Sequence, residues 1–419
     1  MRKTFTALGL ATLLLPGCGM GGPVDRSARP EARPAPAADA GPRQPGSQSG
    51  FNRWVEGFRP RATAQGISPQ VFDRAFRNAS YMPDVVQRDR NQAEFTRAIW
   101  DYLDGAVSAT RINTGRAKLA EHARVLQAIE ARYGVEKEVV LAVWGMESSY
   151  GGFRGTTPII PALATLAYDG RRGPFFEEQL VAALKIVQAG DIGPEAMTGS
   201  WAGAMGHTQF MPTSYLDYAV DFTGDGRRDI WSDDPSDALA SAAAYLARFG
   251  WTRGQPWGVE VQLPQGFNHA LVGTARPVGD WAAQGVRLAG GGAIPNHGNA
   301  QLFLPAGARG PAFLTFSNFA VIKRYNSSDS YALGIGHLSD RLRGGGPFRA
   351  DWPRGDRALS VAERQELQRL LTARGFDTGG VDGRIGPNTL AAVRAYQSAA
   401  GLTPDGYVSA DLLTRLRRG

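Results

Sequence analysis

The stretch VVLAVWGMESSYGG, residues 139–152, organises the rest of the chain. Its apolar residues recur at the spacing of one helix face and lead to a single carboxylate, Glu147, after which a Ser/Gly-rich run ends the helix. At that position the negative end of the helix dipole and the apolar neighbours both disfavour ionisation, which favours a carboxyl that keeps its proton near neutral pH. We therefore predict a general acid at Glu147, the alternative being an ordinary surface carboxylate at a helix end.

Length and composition indicate a globular chain of more than one domain. The 419 residues are enough for two or three domains, and an apolar content of 43% is enough for a sizeable core. Lys and Arg outnumber Asp and Glu by 46 to 39, which gives a formal net charge of +7. This charge favours an anionic partner such as an acidic wall polymer or anionic lipid, or is simply an indifferent basic surface. Because no nucleic-acid-binding motif accompanies the charge, we expect no nucleic-acid role.

The N-terminal residues 1–18 have the pattern of a bacterial lipoprotein signal. Basic residues precede an apolar run, residues 5–15, that is too short to span a bilayer but suits a secretory signal. The run ends in Leu-Pro-Gly-Cys, and Cys18 is the only cysteine, so a disulfide within the chain is impossible. The pattern resembles a lipobox, which implies cleavage before Cys18 and lipidation there; a stray thiol in a cleaved signal is the alternative. Gly19 at the next position implies an anchor on the periplasmic face of the outer membrane.

Composition also divides the remaining chain. Residues 19–50 contain almost no large apolar side chain, so we expect a disordered, semi-extended tether. Residues 51–343 carry helical periodicity, interrupted at about 253–316 by short alternating runs that predict a small inserted β subdomain. A Gly/Pro-rich linker, 344–356, precedes a C-terminal module, 357–419. The predicted fold class is α+β, mainly α, with a separate small three-helix domain at the C-terminus.

The segment GSWAGAMGHTQFMPTSY, residues 199–215, combines small residues with clustered larger ones. Gly and Ala allow close backbone approach, while Gln209, Phe210 and Met211 offer polar and apolar contacts. We interpret this segment as the wall of a cleft that faces an extended ligand. Tight helix packing is the alternative, but it does not explain the cluster at 209–211.

Two adjacent arginines, Arg171 and Arg172, lie between two predicted helices. Guanidinium groups bind anionic substrate groups in a bidentate manner, and they are also common in solvated turns. We favour substrate contact slightly over the turn.

The stretch DFTGDGRRD, residues 221–229, resembles an EF-hand loop. Oxygen donors at positions one, three and five, Gly at six and a backbone carbonyl at seven allow a loop to wrap a hard cation. Position twelve is Ser232 instead of Glu, so a carboxylate farther along the chain has to complete the site. The expected calcium ligands are Asp221, Thr223, Asp225, Arg227 and Asp237. A loop rich in Asx turns, without metal, is the alternative.

Four motifs in order carry a family resemblance: WGMESSYG, GSWAGAMGHTQFMPTSY, DFTGDGRRDIW and AVIKRYNSSDSYA. They closely resemble the type B membrane-bound lytic murein transglycosylases, whose core is lysozyme-like, over roughly residues 51–343. The resemblance implies cleavage of the β-1,4 bond between N-acetylmuramic acid and N-acetylglucosamine in peptidoglycan glycan strands, with a 1,6-anhydromuramoyl end as product. It also implies no cofactor for the chemistry, a structural calcium ion, and a monomer. Glu147 matches the family's acid/base, and the positions that match its sugar cleft are Ser200, Gln209, Phe210, Tyr245, Tyr325 and Asn326.

One carboxylate suffices if the substrate supplies the nucleophile. Ordinary glycosidases use two carboxylates, and no second one stands out among these motifs. Glu147 would protonate the glycosidic oxygen and then deprotonate the C6 hydroxyl that attacks C1. Gln209 and Ser200 are candidates to orient the N-acetyl group, and Asn326 to hold a neighbouring sugar. The aromatic candidates either offer faces to sugar rings or pack in the core.

The sequence is also compatible with two other functions. A hydrolytic muramidase would use Glu147 with a second carboxylate such as Asp169 or Asp217. A non-catalytic lipoprotein that binds the wall would need no acid at all.

The C-terminal module contains a repeated pattern. Ser360 and Glu363 form a capping-box signature, and an Asp-Gly turn precedes a short helix twice, at Asp382 and at Asp405. The pattern resembles the common peptidoglycan-binding domain, so we expect wall binding instead of chemistry, with a spacer role as the alternative.

Overall fold

The computed structural model describes residues 46–90 and 97–418. Cys18, its lipobox and most of the predicted tether therefore lie outside the described residues. Within the described ranges, none of the helices has the length and apolar character needed to cross a bilayer. The architecture is mainly helical with a small sheet subdomain and a separate C-terminal helical module, which confirms the predicted fold class.

The large helical domain contains most of the helices. Their bounds are α1 Gln48–Ala64, α2 Pro69–Phe76, α3 Pro83–Arg90, α4 Ile99–Ala106, α5 Ala109–Glu121, α6 Ala123–Tyr133, α7 Lys137–Ser148, α8 Ile159–Asp169, α9 Gly173–Ala189, α10 Pro212–Tyr218 and α11 Ser236–Arg248, followed after the β subdomain by α13 Ser317–Tyr325 and α14 Asp329–Leu342. A two-residue antiparallel pair, β1 Thr157–Pro158 and β2 Thr198–Gly199, lies between them. Local signals set several of these ends: Ser68 caps α2 with Pro69 at its first position, and Ser328 caps α14.

The β subdomain interrupts this domain where short alternating runs predicted it. Its strands are β3 Gly258–Gln262, β4 Ala275–Pro277, β5 Arg287–Leu288, β6 Asn299–Phe303 and β7 Ala312–Thr315, with a short helix, α12 Val278–Ala283. The sheet is antiparallel throughout, in the order β4-β6-β7-β3-β5. A cluster of its own, centred on Trp281 and Leu314, forms the subdomain core.

Helix α7 runs through the middle of the helical core. Nine of its residues are buried, and its largest neighbour is α14, which packs against it in the opposite direction. Two glycines make room for the turn that follows α7. A Cβ at Gly115 or Gly145 would lie within 2.3–2.6 Å of the Tyr150 side chain, so both positions require glycine. Tyr150 is thereby clamped against α5 and α7, and its hydroxyl donates to the carbonyl of Arg111.

The C-terminal module folds as three helices, α15 Val361–Ala373, α16 Pro387–Ala399 and α17 Ala410–Arg418. The predicted capping box at Ser360 and Glu363 is present. The two Asp-Gly turns are equivalent: the amide of Gln368 bridges the Asp382 carboxylate and the next glycine, and that of Gln397 does the same at Asp405. This internal repeat explains why the motif occurs twice.

The Gly/Pro-rich segment 344–356, predicted as a linker, is docked along its length. Phe348 stacks on His337 of α14 with ring centroids 3.8 Å apart, and the Arg349 and Ala350 amides donate to Glu260 of β3. Arg354 then forms a bidentate pair with Asp104 of α4. The Gly and Pro content correctly predicts that the segment has no regular secondary structure. It does not predict the docking, because the partners of the segment lie on α14, β3 and α4.

The module also contacts the β subdomain directly. Asp405 accepts a hydrogen bond from the Ala308 amide at 2.9 Å, and Arg309 pairs with Asp356. A Cβ at Gly307 would approach Asp405 and the Tyr407 side chain to 2.6 Å, so this glycine permits the close contact. The β subdomain and the C-terminal module therefore share a packed interface.

Candidate active site

Glu147 lies in the last turn of α7 and is half-buried. The hydroxyl of Tyr331, near the start of α14, donates to Glu147 Oε1 at 2.5 Å. Tyr331 is itself buried, so its ring is fixed by packing and its hydroxyl holds the carboxylate in one direction. In the sequence, Tyr331 fits the apolar face of the helix that contains Ile335, Leu338 and Leu342. Its phenolic oxygen on an otherwise apolar stripe is the signal that could have marked it.

The chain after Glu147 turns sharply. Ser149, Tyr150 and Gly151 all adopt positive φ angles, of 50°, 59° and 85°. Two consecutive non-glycine residues in this region are strained, at a cost of about 1–2 kcal/mol each. The strain ends α7 at Ser148, as predicted, and directs residues 152–155 back across the helix end.

His207, in the Gly-rich segment 199–215, links this helix end to the acidic loop, by which we mean residues 221–237. Its Nδ1 accepts from the Trp144 indole N–H at 3.0 Å, and its Nε2 lies 2.7 Å from the carbonyl oxygen of Ser232. Both bonds are satisfied by one neutral tautomer that carries its proton on Nε2. Burial lowers the pKa of His207, which favours that neutral form at pH 7. The Ser148 hydroxyl also donates to the His207 carbonyl at 2.6 Å.

The segment 325–331 closes the other side of the site. The Tyr325 hydroxyl donates to the carbonyl of Thr208 at 2.6 Å, and the Asn326 side chain accepts from the Ser328 amide. Ser328 in turn caps α14 by accepting from the Tyr331 amide. Three segments far apart in sequence, the end of α7, residues 206–211 and residues 325–331, are thus joined in a closed ring of contacts around Glu147.

Ser200 and Gln209 are brought to the same turn. Pairing of β1 with β2 sets residues 155–158 beside 198–199, and a Cβ at Gly155 would lie 2.7 Å from the Ser200 amide nitrogen. Gln209, with φ of 52°, donates through Nε2 to the Arg154 carbonyl at 3.0 Å. Both polar candidates from the sequence therefore lie beside residues 154–155, in the turn that follows α7.

The aromatic candidates lie in the core behind the site. Phe210, Tyr245 and Tyr325 are at most 4% exposed, and their ring centroids are 5.0–5.9 Å apart. The Tyr245 hydroxyl donates to the Arg324 carbonyl. Met211 is also buried, at the start of α10. Packing against one another explains this aromatic cluster, and the interpretation of these rings as open sugar platforms is corrected: they support the segments that carry Gln209 and Asn326.

Arg171 and Arg172 do not face the site as free cations. Arg171 forms a bidentate pair with Asp89 of α3, and Arg172 lies 2.8 Å from the same carboxylate. Asp89 is 2% exposed, and two guanidinium groups compensate its burial. We therefore assign both arginines to the packing of the α8–α9 turn on α3 and correct the preference for substrate contact.

The acidic loop has the form of a preorganised oxygen site. Carboxylate oxygens of Asp221, Asp225 and Asp237 lie within 4.8 Å of one another, and Thr223 lies beside Asp221. Asp237, buried at the start of α11, accepts from the amides of Phe222, Thr223 and Asp229 and so closes the loop. The Ser232 hydroxyl donates to the Asp234 carbonyl, so the carboxylate that closes the loop is that of Asp237. The all-oxygen donor set fits a hard cation such as Ca²⁺, with the Arg227 carbonyl as the further expected ligand.

A carboxylate oriented by a phenol at the end of a buried helix is suited to giving a proton to a leaving oxygen and taking one back. Fold and site together define a lysozyme-like, glycan-cleaving class of protein.

Comparison with known proteins identifies the family. The family described as "Transglycosylase SLT domain" matches residues 50–340, and "Putative peptidoglycan binding domain" matches residues 360–416. The chain belongs to the SLT lytic transglycosylase family, which acts on peptidoglycan, and it carries a peptidoglycan-binding module. Lytic transglycosylases need no cofactor for their chemistry.

The solved relatives cover both parts of the chain. The crystal structure of SltB3 from Pseudomonas aeruginosa in complex with NAG-anhNAM-pentapeptide is 52% identical, with a TM-score of 0.85 over 88% of this chain and 99% of that chain. The Escherichia coli lytic transglycosylase SLT35 in complex with calcium is 28% identical, with a TM-score of 0.59 over 71% of this chain and 93% of that chain.

A curated relative gives a shorter match. Membrane-bound lytic murein transglycosylase B of Escherichia coli (strain K12) is 37% identical over 217 residues, 50% of this chain and 58% of the relative. This chain therefore spans somewhat more than half the length of that relative.

Proposed function

We propose that this chain cleaves the β-1,4 bond between N-acetylmuramic acid and N-acetylglucosamine without water and leaves a 1,6-anhydromuramoyl end. The observation that carries the proposal is the Tyr331–Glu147 hydrogen bond, which fixes a single carboxylate at the helix end of an SLT fold. The ligands in the SltB3 structures, NAG-anhNAM-pentapeptide and NAG-NAM-pentapeptide, support the same substrate class here.

The reaction balances with one protein proton. Glu147 gives its proton to the glycosidic oxygen as the bond from C1 to that oxygen breaks. The C6 hydroxyl of the same muramoyl residue then forms a bond to C1, and its proton returns to Glu147. Acid and base steps by a positioned group each contribute about 10²–10⁴-fold. No water is consumed, and the enzyme ends in its starting protonation state.

The neighbouring side chains have orienting roles in this proposal. Gln209 is held by two carbonyls, those of Arg154 and Gly206, so its amide presents a fixed group to an N-acetyl substituent. Ser200 lies beside the same turn, and Asn326 sits at the opposite side of the ring of contacts. Each group positions the muramoyl residue and its neighbour so that the C6 hydroxyl, not solvent, reaches C1.

Hydrolysis is the second candidate, and analysis of the products separates it from lytic transglycosylation. Asp169 is bound to Arg90 at 2.5 Å and Asp217 is exposed on α10, so neither is favoured as a second catalytic carboxylate. We would digest purified wall with the full-length protein and weigh the soluble fragments. Lytic transglycosylation predicts fragments with anhydro ends and no added water. Fragments heavier by one water per cut, with reducing ends, would instead establish a muramidase.

A non-catalytic wall-binding lipoprotein is the third candidate. It predicts binding to purified wall without release of any fragment, for the wild type and for Glu147→Gln alike. The enzyme proposal predicts fragments from the wild type and binding without release from the variant.

We further propose that the acidic loop binds Ca²⁺ in a structural role. The calcium complex of SLT35 and the convergence of Asp221, Asp225 and Asp237 support this. The ion would be held by these carboxylates with Thr223 and the Arg227 carbonyl, and it would stiffen the loop that His207 contacts. Thermal unfolding with added Ca²⁺ and with a chelator tests the site: the transition should rise with Ca²⁺, and Asp225→Asn should remove that rise.

The proposed location is the periplasmic face of the outer membrane, with the chain as a monomer tethered through lipidated Cys18. The support is the lipobox-like sequence and the membrane-bound name of the curated relative. Cys18→Ala should shift the protein from the membrane to the soluble fraction on cell fractionation, with catalysis in vitro unchanged.

A further inference from the structure

Phe153 is the most exposed large apolar side chain among the described residues. Its exposed fraction is 79%, and the other exposed large hydrophobic residue there, Val381, is at 43%. Phe153 belongs to the turn that leaves Glu147, six residues farther along the chain. Single exposed apolar side chains are ordinary on protein surfaces, and what sets Phe153 apart is its position in the turn that leaves Glu147.

The backbone under Phe153 is rigid. Its amide donates to the Ser148 carbonyl at 2.9 Å, so it is fixed to the residue that follows Glu147. The next residue, Arg154, is held through its carbonyl by Gln209 and through its guanidinium by the carbonyls of Trp231 and Ser232. The ring is therefore exposed on a fixed frame and not on a loose loop.

The same frame ties Phe153 to the residues proposed for the reaction. Its amide is bonded to Ser148, which adjoins Glu147, and the carbonyl of the next residue, Arg154, accepts from Gln209, the candidate for the N-acetyl group. Gly155, two residues on, packs against the Ser200 backbone. Phe153 therefore belongs to a segment that is bonded both to the end of α7 and to the segment 199–215.

We propose that Phe153 is a binding platform on which a sugar ring of the glycan strand stacks, next to the ring that Glu147 cleaves. The C–H face of a β-linked pyranose is apolar and flat, and it matches an aromatic face in size. The flanking donors and acceptors suit the polar edges of the same sugar. The proposal rests on the proposed glycan-cleaving function and adds a specificity-determining residue that the sequence motifs do not contain.

The first experiment compares Phe153→Ala and the control Phe153→Tyr with the wild type, in full-length protein on soluble, peptide-free glycan strands. Phe153→Ala should raise KM about tenfold, the value of burying part of one aromatic face, with kcat within about twofold. Phe153→Tyr keeps the ring and should behave as the wild type. Since Phe153 is largely exposed, both variants should unfold at the wild-type temperature.

Two results would overturn the platform. One is a Phe153→Ala enzyme kinetically the same as the wild type. The other is a loss of affinity seen only with peptide-bearing strands, because that would make the occupant a stem peptide instead of a sugar.

A second experiment separates this proposal from the reaction itself. Glu147→Gln and the double variant Glu147→Gln/Phe153→Ala are compared for binding to the same peptide-free strands. The double variant should bind about tenfold more weakly, whichever chemistry the wild type performs. Equal binding by the two proteins refutes the platform, whereas absence of anhydro products from the wild type refutes the proposed function alone.

Discussion

The two ends of the α7–α14 pair each carry a carboxylate that accepts from an aromatic donor, and the proposed function assigns the reaction to one of them. At the near end, Glu147 accepts from the Tyr331 hydroxyl at 2.5 Å. At the far end, Asp340 accepts from the Trp257 indole at 2.8 Å. The helices are antiparallel, so the two carboxylates lie at opposite ends of the same packed pair.

The far end contains a cavity of about 450 Å³ with several acidic residues in its wall. Each of these carboxylates has strong partners: Glu136 accepts from the Trp251 indole and the Gly254 amide, and Glu138 lies beside Lys137 and Arg343. The hydrogen bonds and ion pairs of these carboxylates stabilise the packing around the start of α7. The comparison teaches that burial, acidity and a cavity do not by themselves identify a catalytic carboxyl. What differs at Glu147 is its place: it lies at the C-terminal end of α7, where the segments 206–211 and 325–331 meet that helix end.

The largest effect expected from this comparison is that of Glu147→Gln. The amide keeps the size and can still contact Tyr331, but it cannot give or take the proton. Release of anhydro fragments should fall by at least about 10³-fold, with binding to wall and the unfolding temperature retained.

Glu138→Gln, at the opposite end of the same helix, is the matched control and should retain turnover. If both variants kept activity, neither end would be catalytic and the comparison would fail.

The next effect is that of Tyr331→Phe. The ring stays packed, and only the hydrogen bond to Glu147 is lost. We expect kcat to fall by about 10–100-fold with KM little changed, because the orientation of the acid is a transition-state requirement. The far-end counterpart, Trp257→Phe, removes the donor to Asp340 and should lower stability without changing kcat. Steady-state kinetics of both variants measure the contrast, and a rise in KM for Tyr331→Phe would indicate a substrate-binding role instead.

A smaller effect, on stability, is expected at Asp340. Burial raises the pKa of Asp340 from 3.8 to about 6. Because the folded pKa lies above the unfolded one, the folded state binds more protons between about pH 4 and pH 6. This contribution is therefore fully present below pH 4 and is lost as pH rises through 6. For a fully buried group a shift of two pKa units corresponds to about 3 kcal/mol. The Asp340 side chain is 37% exposed, so screening by solvent reduces the effect to about 1–2 kcal/mol.

Asp340→Asn tests this difference between the ends. The amide oxygen still accepts from Trp257, but no charge has to be buried. As pH rises from 4 to 7, the unfolding free energy of the variant should increase by about 1–2 kcal/mol relative to that of the wild type, measured by urea denaturation at each pH. Parallel pH profiles for the two proteins would show that Asp340 is not the group that titrates.

The smallest effect is expected from Ser328→Ala. Ser328 caps α14 and accepts from the Tyr331 amide, so it supports the near end indirectly. Loss of the cap should lower the unfolding free energy by about 1 kcal/mol. Turnover should fall much less than in Tyr331→Phe, because the phenol that contacts Glu147 remains. A turnover loss equal to that of Tyr331→Phe would mean that the position of α14, and not the hydrogen bond alone, governs the site.

Local patterns made much of this fold and site predictable. The end of α7 follows from apolar spacing and a Ser/Gly run, and the acidic loop follows from oxygen donors at fixed positions in nine contiguous residues. The β subdomain and the capping box of α15 are likewise encoded within short windows. In each case the pattern that predicts the element lies within a short stretch of sequence, even where its partner, such as Asp237 for the loop, lies outside that stretch.

The parts that sequence could not supply are contacts between distant residues. Tyr331 reaches Glu147 across 184 positions, and as a sequence element it fits the apolar stripe of α14 equally well. Asp89 binds Arg171 and Arg172 from more than 80 residues away, which no local pattern reveals. The burial of Phe210 and its aromatic neighbours depends on three segments that meet only in the folded core.

The docked segment 344–356 has a further consequence for how the chain meets the wall. A mobile hinge would let the C-terminal module search independently, with an effective concentration set by hinge length. Here three contacts hold the segment against three different parts of the fold, and they are made by Phe348, Arg349 and Arg354. Under the proposed function, the module that binds the wall is then held at a fixed distance from the residue that cleaves the glycan. The position of the cleaved bond relative to the bound strand is therefore set by the fold and not by the length of a hinge.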